Sequence, residues 1–374
     1  MSASDSSAML PLERQAKVVE LLRARGTMRV HDLADQLQVS PITVRRDLVL
    51  LAEQGLIRKV RGGATLIDVG ASARGPAVPR HPAELTLGMV VPSLDYYWPD
   101  VIKGARGAAT AENARLVLRG ATYQADEELR QLDRLIESAD VDGVLVAPTT
   151  TGERGEDLVR RLGELDLPVV LVERLPHDEH RDKLESVVSD HSRGAGLAVR
   201  HLADLGHRRI GVSTTVNSPT SVHVRHGWRE ECARLGLPVE GVPDFHTVDQ
   251  RDPTWPGVVD DLLDACLDSG TTALVVHSDP EAISLVQRCR ERGIDVPGGL
   301  SVVTYDDEVA ELCDPPLTAV RPPKSAVGRA AAALLIAALR DPDPHRPAHR
   351  VVIEPRLIVR SSSSAPGEGE PARS

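Results

Sequence analysis

The stretch VVSDHSRGAGLAVRHLADLGHRRIGV, residues 187–212, carries an apolar run, a small-residue helical segment and then a second apolar run. Neither run alternates polar with apolar, so each predicts a strand covered on both faces, as in parallel sheets flanked by helices. The same texture extends in both directions. Upstream lie LGMVV (87–91), RLVL (115–118), GVLVA (143–147), PVVLV (168–172) and SVV (186–188). Downstream lie RIGVS (209–213), ALVVH (273–277), LSVVT (300–304) and VVIEP (351–355). Amphipathic segments separate them, such as Asp126 to Ser138 with Leu129, Leu132, Leu135 and Ile136 on one face. About 275 residues of this alternation exceed one comfortable core, so two α/β lobes are expected, the first five runs forming one and the last four the other.

Residues 10–66 read differently. Two short helical periods, Arg14 to Leu22 and Val30 to Leu37, precede Ser40, an N-cap with Pro41 at the first helical position. In the helix that follows, Val44, Leu48 and Leu51 share an inward face, Ile42, Arg46 and Val49 point away, and Thr43 and Arg45 flank them. LIRKVRGGATL (56–66) then predicts two strands about a glycine turn. This is a winged helix-turn-helix, whose cationic third helix suits a DNA major groove and whose wing residues Arg58, Lys59 and Arg61 suit phosphates. The charge distribution agrees: residues 1–66 hold ten Lys/Arg against seven Asp/Glu, in a chain whose net charge is −11. The expected DNA contacts are Ser40, Pro41, Thr43, Arg45, Arg46, Arg58, Lys59 and Arg61.

The element VSPITVRRDL (39–48) followed by RGGA (61–64) resembles the DeoR-type helix-turn-helix. Beyond residue 66 that resemblance ends. From LGMVVPSL (87–94) through DGVLVAPT (142–149), LPVVLVER (167–174), LADLGHRRIGV (202–212) and LSVVTYDDEVAELCDPPLTAVR (300–321), the chain resembles the LacI-type effector domain. The resemblance implies a two-lobed, periplasmic-binding-protein type I-like sensor, with chain crossings near Asp190, near Thr318 and after Arg340. The implied organisation is a DNA-binding head (10–67), a Pro/Gly-rich linker (68–84), an effector-binding and dimerisation domain (85–361) and a tail, 362–374, disordered by composition.

In such folds ligands bind at the carboxyl ends of the strands, between the lobes. That rule selects Asp95, Tyr96, Tyr97 and Trp98 after the first strand, Tyr123 after the second, and Glu173 and Arg174 after the fourth. It selects Ser278, Asp279, Tyr305, Asp306 and Asp307 in the second lobe. With eight aromatics in 374 residues, five fall at these strand ends, and Trp255 lies in a nearby loop. Flat rings beside carboxylates suit a sugar, whose C–H faces stack and whose hydroxyls donate. The LacI-type cleft arginine falls on Val224 here, so Arg225 is the candidate replacement; Ser278 stands where Asn is common, and Pro322 where a polar residue is.

Other chemistry finds little support. Cys232, Cys266, Cys289 and Cys313 are scattered, which excludes a zinc ribbon and suits a reducing, cytoplasmic setting. His177 and His180 read as a solvated loop, and His223 and His226 as hydrogen-bonding residues. RGAGLAV (193–199) lacks the third glycine of a dinucleotide fingerprint and reads as helix–strand packing. No nucleophile elbow, cofactor site or metal cluster is visible, and no signal peptide or membrane span. The expected protein is not an enzyme. It is a homodimeric repressor that binds double-stranded operator DNA and answers a small-molecule effector, a sugar by default. The alternatives are an activator, a corepressor-dependent repressor with a non-sugar effector, and a transport-type sugar-binding protein.

Overall fold

The structure is a computed structural model that describes residues 14, 17–19, 21–22, 26–37, 39–40, 43–44, 47–48, 51, 57–60, 63–66, 85–150, 152–176, 182–216, 218–341, 343 and 345–367. The chain forms two compact units, Met1–Arg80 and His81–Ser374.

In the first unit, helix α1 (Val30–Leu37) buries Val30, Leu33, Ala34 and Leu37. The helical residues Val44, Leu48 and Leu51 face the same core, as their spacing predicts, with Val18 and Leu22. Ser40 caps the third helix: its Oγ accepts from the Thr43 N–H at 3.2 Å. The wing gains a strand that the sequence did not suggest. β1 (Thr27–Arg29) pairs antiparallel with β3 (Gly63–Leu66), which also pairs with β2 (Ile57–Val60). Gly63 is glycine because a Cβ there would collide with the Met28 carbonyl on the neighbouring strand.

The second unit holds two six-stranded sheets. The first lobe is built from β4 (Thr86–Val91), α2 (Trp98–Ala111), β5 (Arg115–Gly120), α3 (Ala125–Ala139), β6 (Gly143–Val146), α4 (Gly152–Gly163), β7 (Val169–Val172) and β8 (Glu185–Ser189). The second contains α5 (His191–Asp204), β9 (Ile210–Thr215), α6 (Ser221–Arg234), β10 (Asp244–Thr247), α7 (Trp255–Ser269), β11 (Ala273–His277), α8 (Asp279–Glu291), β12 (Ser301–Tyr305) and β13 (Thr318–Arg321). Then α9 (Lys324–Arg340) returns to pack on α2, β14 (Arg350–Ile353) completes the first sheet, and β15 (Arg356–Ile358) completes the second. Strand orders are β14-β8-β7-β6-β4-β5 and β10-β9-β11-β12-β13-β15, parallel except for β13 with β15. The chain therefore crosses between lobes at Asp190, between β13 and α9, and at Glu354–Pro355.

Each sheet is covered on both faces by separate apolar clusters, which is why its inner strands read as unbroken apolar runs. Two expectations need correction. VVIEP was assigned to the second lobe, but β14 pairs in parallel with β8 in the first. An edge strand's local pattern does not say which of two sheets it joins. The tail was expected to be unstructured from residue 362, yet Ser362 is fully buried. Its Oγ donates to the Val302 carbonyl at 2.6 Å and accepts from the Thr318 N–H at 2.8 Å, while its own carbonyl accepts from the Val302 N–H at 2.8 Å. The Ser364 carbonyl also accepts from His207 Nε2 at 2.9 Å. A serine run can be buried when sheet ends supply partners for every polar atom.

Truncating the chain after Arg360 should therefore destabilise the second lobe. Each buried group left without its partner costs about 1–3 kcal/mol. Urea unfolding of the truncated chain measures this, and an unchanged midpoint would show that the serine run carries no stability.

Candidate functional site

Four non-glycine residues past the carboxyl ends of strands adopt left-handed backbone: Tyr96 (φ 57°), Glu173 (φ 55°), Asp306 (φ 97°) and Asp307 (φ 53°). Such conformations cost about 1–3 kcal/mol each and persist where surrounding structure or function demands them. Glu173, Asp306 and Asp307 lie where β7 and β12 end and Tyr96 in the loop after β4, so these four mark the cleft between the lobes, while Asn113 and Asp140, also left-handed, follow helices.

On the first lobe Glu173 is the centre of a closed polar network. Its carboxylate accepts from the Tyr97 hydroxyl at 2.6 Å, the Ser189 hydroxyl at 2.7 Å and the Ser189 N–H at 2.8 Å, with His191 Nε2 at 3.5 Å. Burial alone would push the Glu173 pKa up, but the hydrogen bonds and His191 outweigh it and hold it down at about 2. Arg174 beside it is buried, donating to the Pro148 carbonyl at 2.9 Å and the Glu173 carbonyl at 2.6 Å. Burial lowers its pKa from the usual arginine value.

On the second lobe Asp306 is 5% exposed. Burial pushes its carboxyl up to about 6, against the opposing pull of Lys324 and His191. His277 Nε2 stands 3.9 Å from it, and burial drives that imidazole down to about 4. Lys324, the first residue of α9, joins the halves. Its ammonium donates to the Asp306 carbonyl, pairs with Glu308 and sits 5.3 Å from the centre of the Tyr97 ring. Placing a buried cation at a helix N-terminus is unfavourable, and these three neighbours offset it. Tyr305 closes the floor, its hydroxyl donating to the His191 carbonyl at 3.1 Å. A Cβ at Gly194 would clash with that hydroxyl, so this glycine of RGAG serves packing, as expected, whereas Gly196 has room for one.

Tyr97, Glu173 and Asp306 are thus brought together. Several other candidates are placed elsewhere. Trp98, 2% exposed, lies in the first-lobe core, and its indole N–H donates to the Tyr123 hydroxyl at 3.2 Å. Tyr123 itself is 52% exposed. Trp255 starts α7 rather than lying in a loop; it is 4% exposed and donates to Ser284 Oγ at 2.7 Å. Neither indole face is open to a sugar, because a protein with so few aromatics uses both to fill its cores. Arg225 pairs with Asp244 at 2.6 Å, while Val224, at the position implied for the cleft arginine, is fully buried. Ser278 is bound within α8's capping box, its hydroxyl donating to Glu281 at 2.6 Å. Asp279 accepts from the Thr304 hydroxyl and from the N–H groups of Asp307, Glu308 and Val309, all within 3.3 Å. Burial and the neighbouring Asp306 push its carboxyl up to about 6. Asp279 is a positioning residue for the loop that carries Asp306, not an open acceptor. Asp95 is exposed at the rim.

His191, His277 and Lys324 were not singled out by sequence reasoning. Lys324 carried no signal, because only the return of α9 from the second lobe to the first brings it under Tyr97.

In the helix-turn-helix unit, Ser40 is exposed and Thr43 half-buried, their hydroxyls 2.9 Å apart. Arg58 and Lys59 lie in β2, opposite Thr65 and Ala64. Pro41, Arg45, Arg46 and Arg61, like His177 and His180, lie outside the described residues. Asp47, also missed, anchors the third helix through a two-pronged pair with Arg14, Nε to Oδ2 at 2.6 Å and Nη2 to Oδ1 at 3.2 Å. Among the described residues no cluster could hold a metal ion, and no helix is long and apolar enough to cross a membrane.

Residues 14–69 match the DeoR-like helix-turn-helix domain family, and residues 199–363 the periplasmic binding protein-like domain family. The HTH-type transcriptional regulator MalR of Streptomyces coelicolor is 31% identical over 351 residues, covering 91% of this chain and 98% of that protein. The arabinose metabolism transcriptional repressor of Geobacillus stearothermophilus is 26% identical over 338 residues, covering 89% and 90%. A LacI family transcriptional regulator from Mycobacterium smegmatis has a similar solved structure: TM-score 0.60, 26% identity, covering 75% of this chain and 99% of that one.

Proposed function

The chain belongs to the LacI family of transcriptional regulators, with a DeoR-like head, and on that premise we propose that it is a cytoplasmic repressor released from its operator by a neutral sugar. The effector occupies the cleft between Glu173 and Tyr97 of one lobe and Asp306 of the other. The observation that carries this reading is that Tyr97, bound to Glu173 in one lobe, and the Asp306 backbone of the other lobe meet at one buried cation, Lys324. Carboxylates are good acceptors for sugar hydroxyls, and a ligand held by both lobes stabilises one lobe arrangement over another. That differential affinity is what shifts operator binding. The name of the Geobacillus relative, an arabinose metabolism repressor, supports a sugar as the effector class.

The head, residues 10–67, reads DNA with Arg45 and Arg46 of the third helix, and Ser40, Pro41, Thr43, Arg58, Lys59 and Arg61 hold the flanking backbone. The linker spans 68–84, and the domain from 85 onward pairs two copies so that the heads meet a palindromic site.

The test is a gel-shift titration on duplexes selected by the full chain from a random pool. Arg45→Ala with Arg46→Ala should weaken specific binding by about 1–3 kcal/mol for each arginine that reads a base edge. Sugars should release the wild-type complex. Unchanged binding by the folded double variant refutes the head assignment, and retention of the complex across a sugar panel refutes the effector class.

A further inference from the structure

Tyr96 belongs to the first lobe, in the loop between β4 and α2, yet its hydroxyl is directed at the second. It accepts from the Asp279 N–H at 3.4 Å, and the Ser278 side chain and the Asp306 carboxylate are its electrostatic neighbours. That is one donor from the N-terminus of α8 and one carboxylate acceptor, the pair of groups that would receive a hydroxyl of a polyol. The phenol stays neutral, since burial and the nearby Asp306 and Asp279 carboxylates push its pKa far above the ordinary tyrosine value. Its left-handed backbone, φ 57°, is unfavourable for a bulky side chain and is kept where it serves to aim the ring across the cleft. Tyr97 contrasts with it: φ is ordinary, and its hydroxyl is spent on Glu173 and Ser189 within its own lobe.

We propose that Tyr96 is a built-in occupant of the second lobe's hydroxyl-binding position, holding the unliganded lobes together until a hydroxyl of the effector displaces it. This rests on the cleft being the effector site. Tyr96 then sets specificity: an effective ligand presents a hydroxyl that can both donate to Asp306 and accept from the Asp279 N–H. A ligand lacking one leaves the tyrosine in place. Lys324 is a second contact between the same elements, but it enters from the crossing helix and does not occupy the hydroxyl position.

Lobe separation can be measured in the full chain by pulsed dipolar spectroscopy between spin labels at Glu153→Cys, exposed at the start of α4, and Val222→Cys, exposed at the start of α6. The four native cysteines are buried, so the introduced thiols label selectively. Without ligand, the protein carrying Tyr96 should give one short distance. Tyr96→Phe keeps the ring and removes the hydroxyl, and should raise the proportion of longer distances up to about tenfold, the equivalent of one hydrogen bond. Titrated with L-arabinose and with maltose as probes, Tyr96→Phe should bind whichever sugar binds the parent about tenfold more tightly, because the competing hydroxyl is gone. Identical distance distributions overturn the proposal, and so does weaker sugar binding by Tyr96→Phe, which would make the hydroxyl a ligand contact. If neither sugar binds either protein, the sugar-effector reading fails for these probes, while the distance comparison still decides the role of Tyr96.

Discussion

Replacing Gly328 with valine should cost the sensor about 3 kcal/mol or more. Helices α2 and α9 cross at Gly104 and Gly328, each backbone filling the space that a side chain on the other would need. A Cβ at 328 would run into the Val101 carbonyl and stand 2.8 Å from the Ala105 nitrogen; one at 104 would strike the Ser325 carbonyl. Backbone cannot rotate away as a side chain can, so the helices must part. Overpacking commonly costs about 1–3 kcal/mol, and here parting also opens contacts among Val101, Ala105, Val327, Ala331 and Ala332. The gain in helix propensity over glycine is only a few tenths of a kcal/mol and does not compensate. Lys324 lies one turn before Gly328, so displacement of α9 also draws its ammonium from Asp306. Gly107, on the same helix α2 but with open space around it, is the control: Gly107→Ala should stabilise by about 0.5–1 kcal/mol. Urea unfolding of the two variants checks the pair, and equal midpoints would mean the helices do not cross so closely.

Asp306→Asn should weaken the response to effector about ten- to a hundredfold while raising stability at neutral pH. The Asp306 carboxyl is held at about 6, above its unfolded value of 3.8, chiefly by burial. An acid with a raised folded pKa binds more protons folded than unfolded between those two values. Its penalty is therefore absent below about pH 4, grows through pH 4–6 and is complete above pH 6. A shift of about two units corresponds to about 3 kcal/mol, and asparagine, imitating the protonated form, removes most of it. The variant should thus melt higher than the parent at pH 7–8 and no higher at pH 4. The function lost is a charge-assisted acceptor for ligand hydroxyls, about 1.5–3 kcal/mol, or ten- to a hundredfold in effector affinity. Operator binding without effector should persist. Thermal melts across pH, with calorimetry against the sugar that releases the operator complex, test both halves. A lower melting point at pH 7 would make Asp306 a structural residue, and unchanged affinity would remove it from the site.

Local pattern determined much of this protein. Unbroken apolar runs announced parallel sheets covered on both faces, because residues on either side of such a strand meet only helices. Ser40 announced a helix start because an orphan N–H at the third helical position needs an acceptor. Tyr97, Glu173 and Asp306 could be named because residues past a parallel strand's carboxyl end lie at the mouth of the cleft. Tertiary structure decided the rest. Whether Trp98 and Trp255 face ligand or core depends on which space remains unfilled, and cores built from Ala, Val and Leu needed both. β14 joins the first sheet because β8 offers it an open edge more than 160 residues back along the chain. The buried Ser362 and the central Lys324 are polar residues whose burial rests on partners from distant segments. Those partners are assembled only when the chain crosses between lobes, and no local period records the crossing.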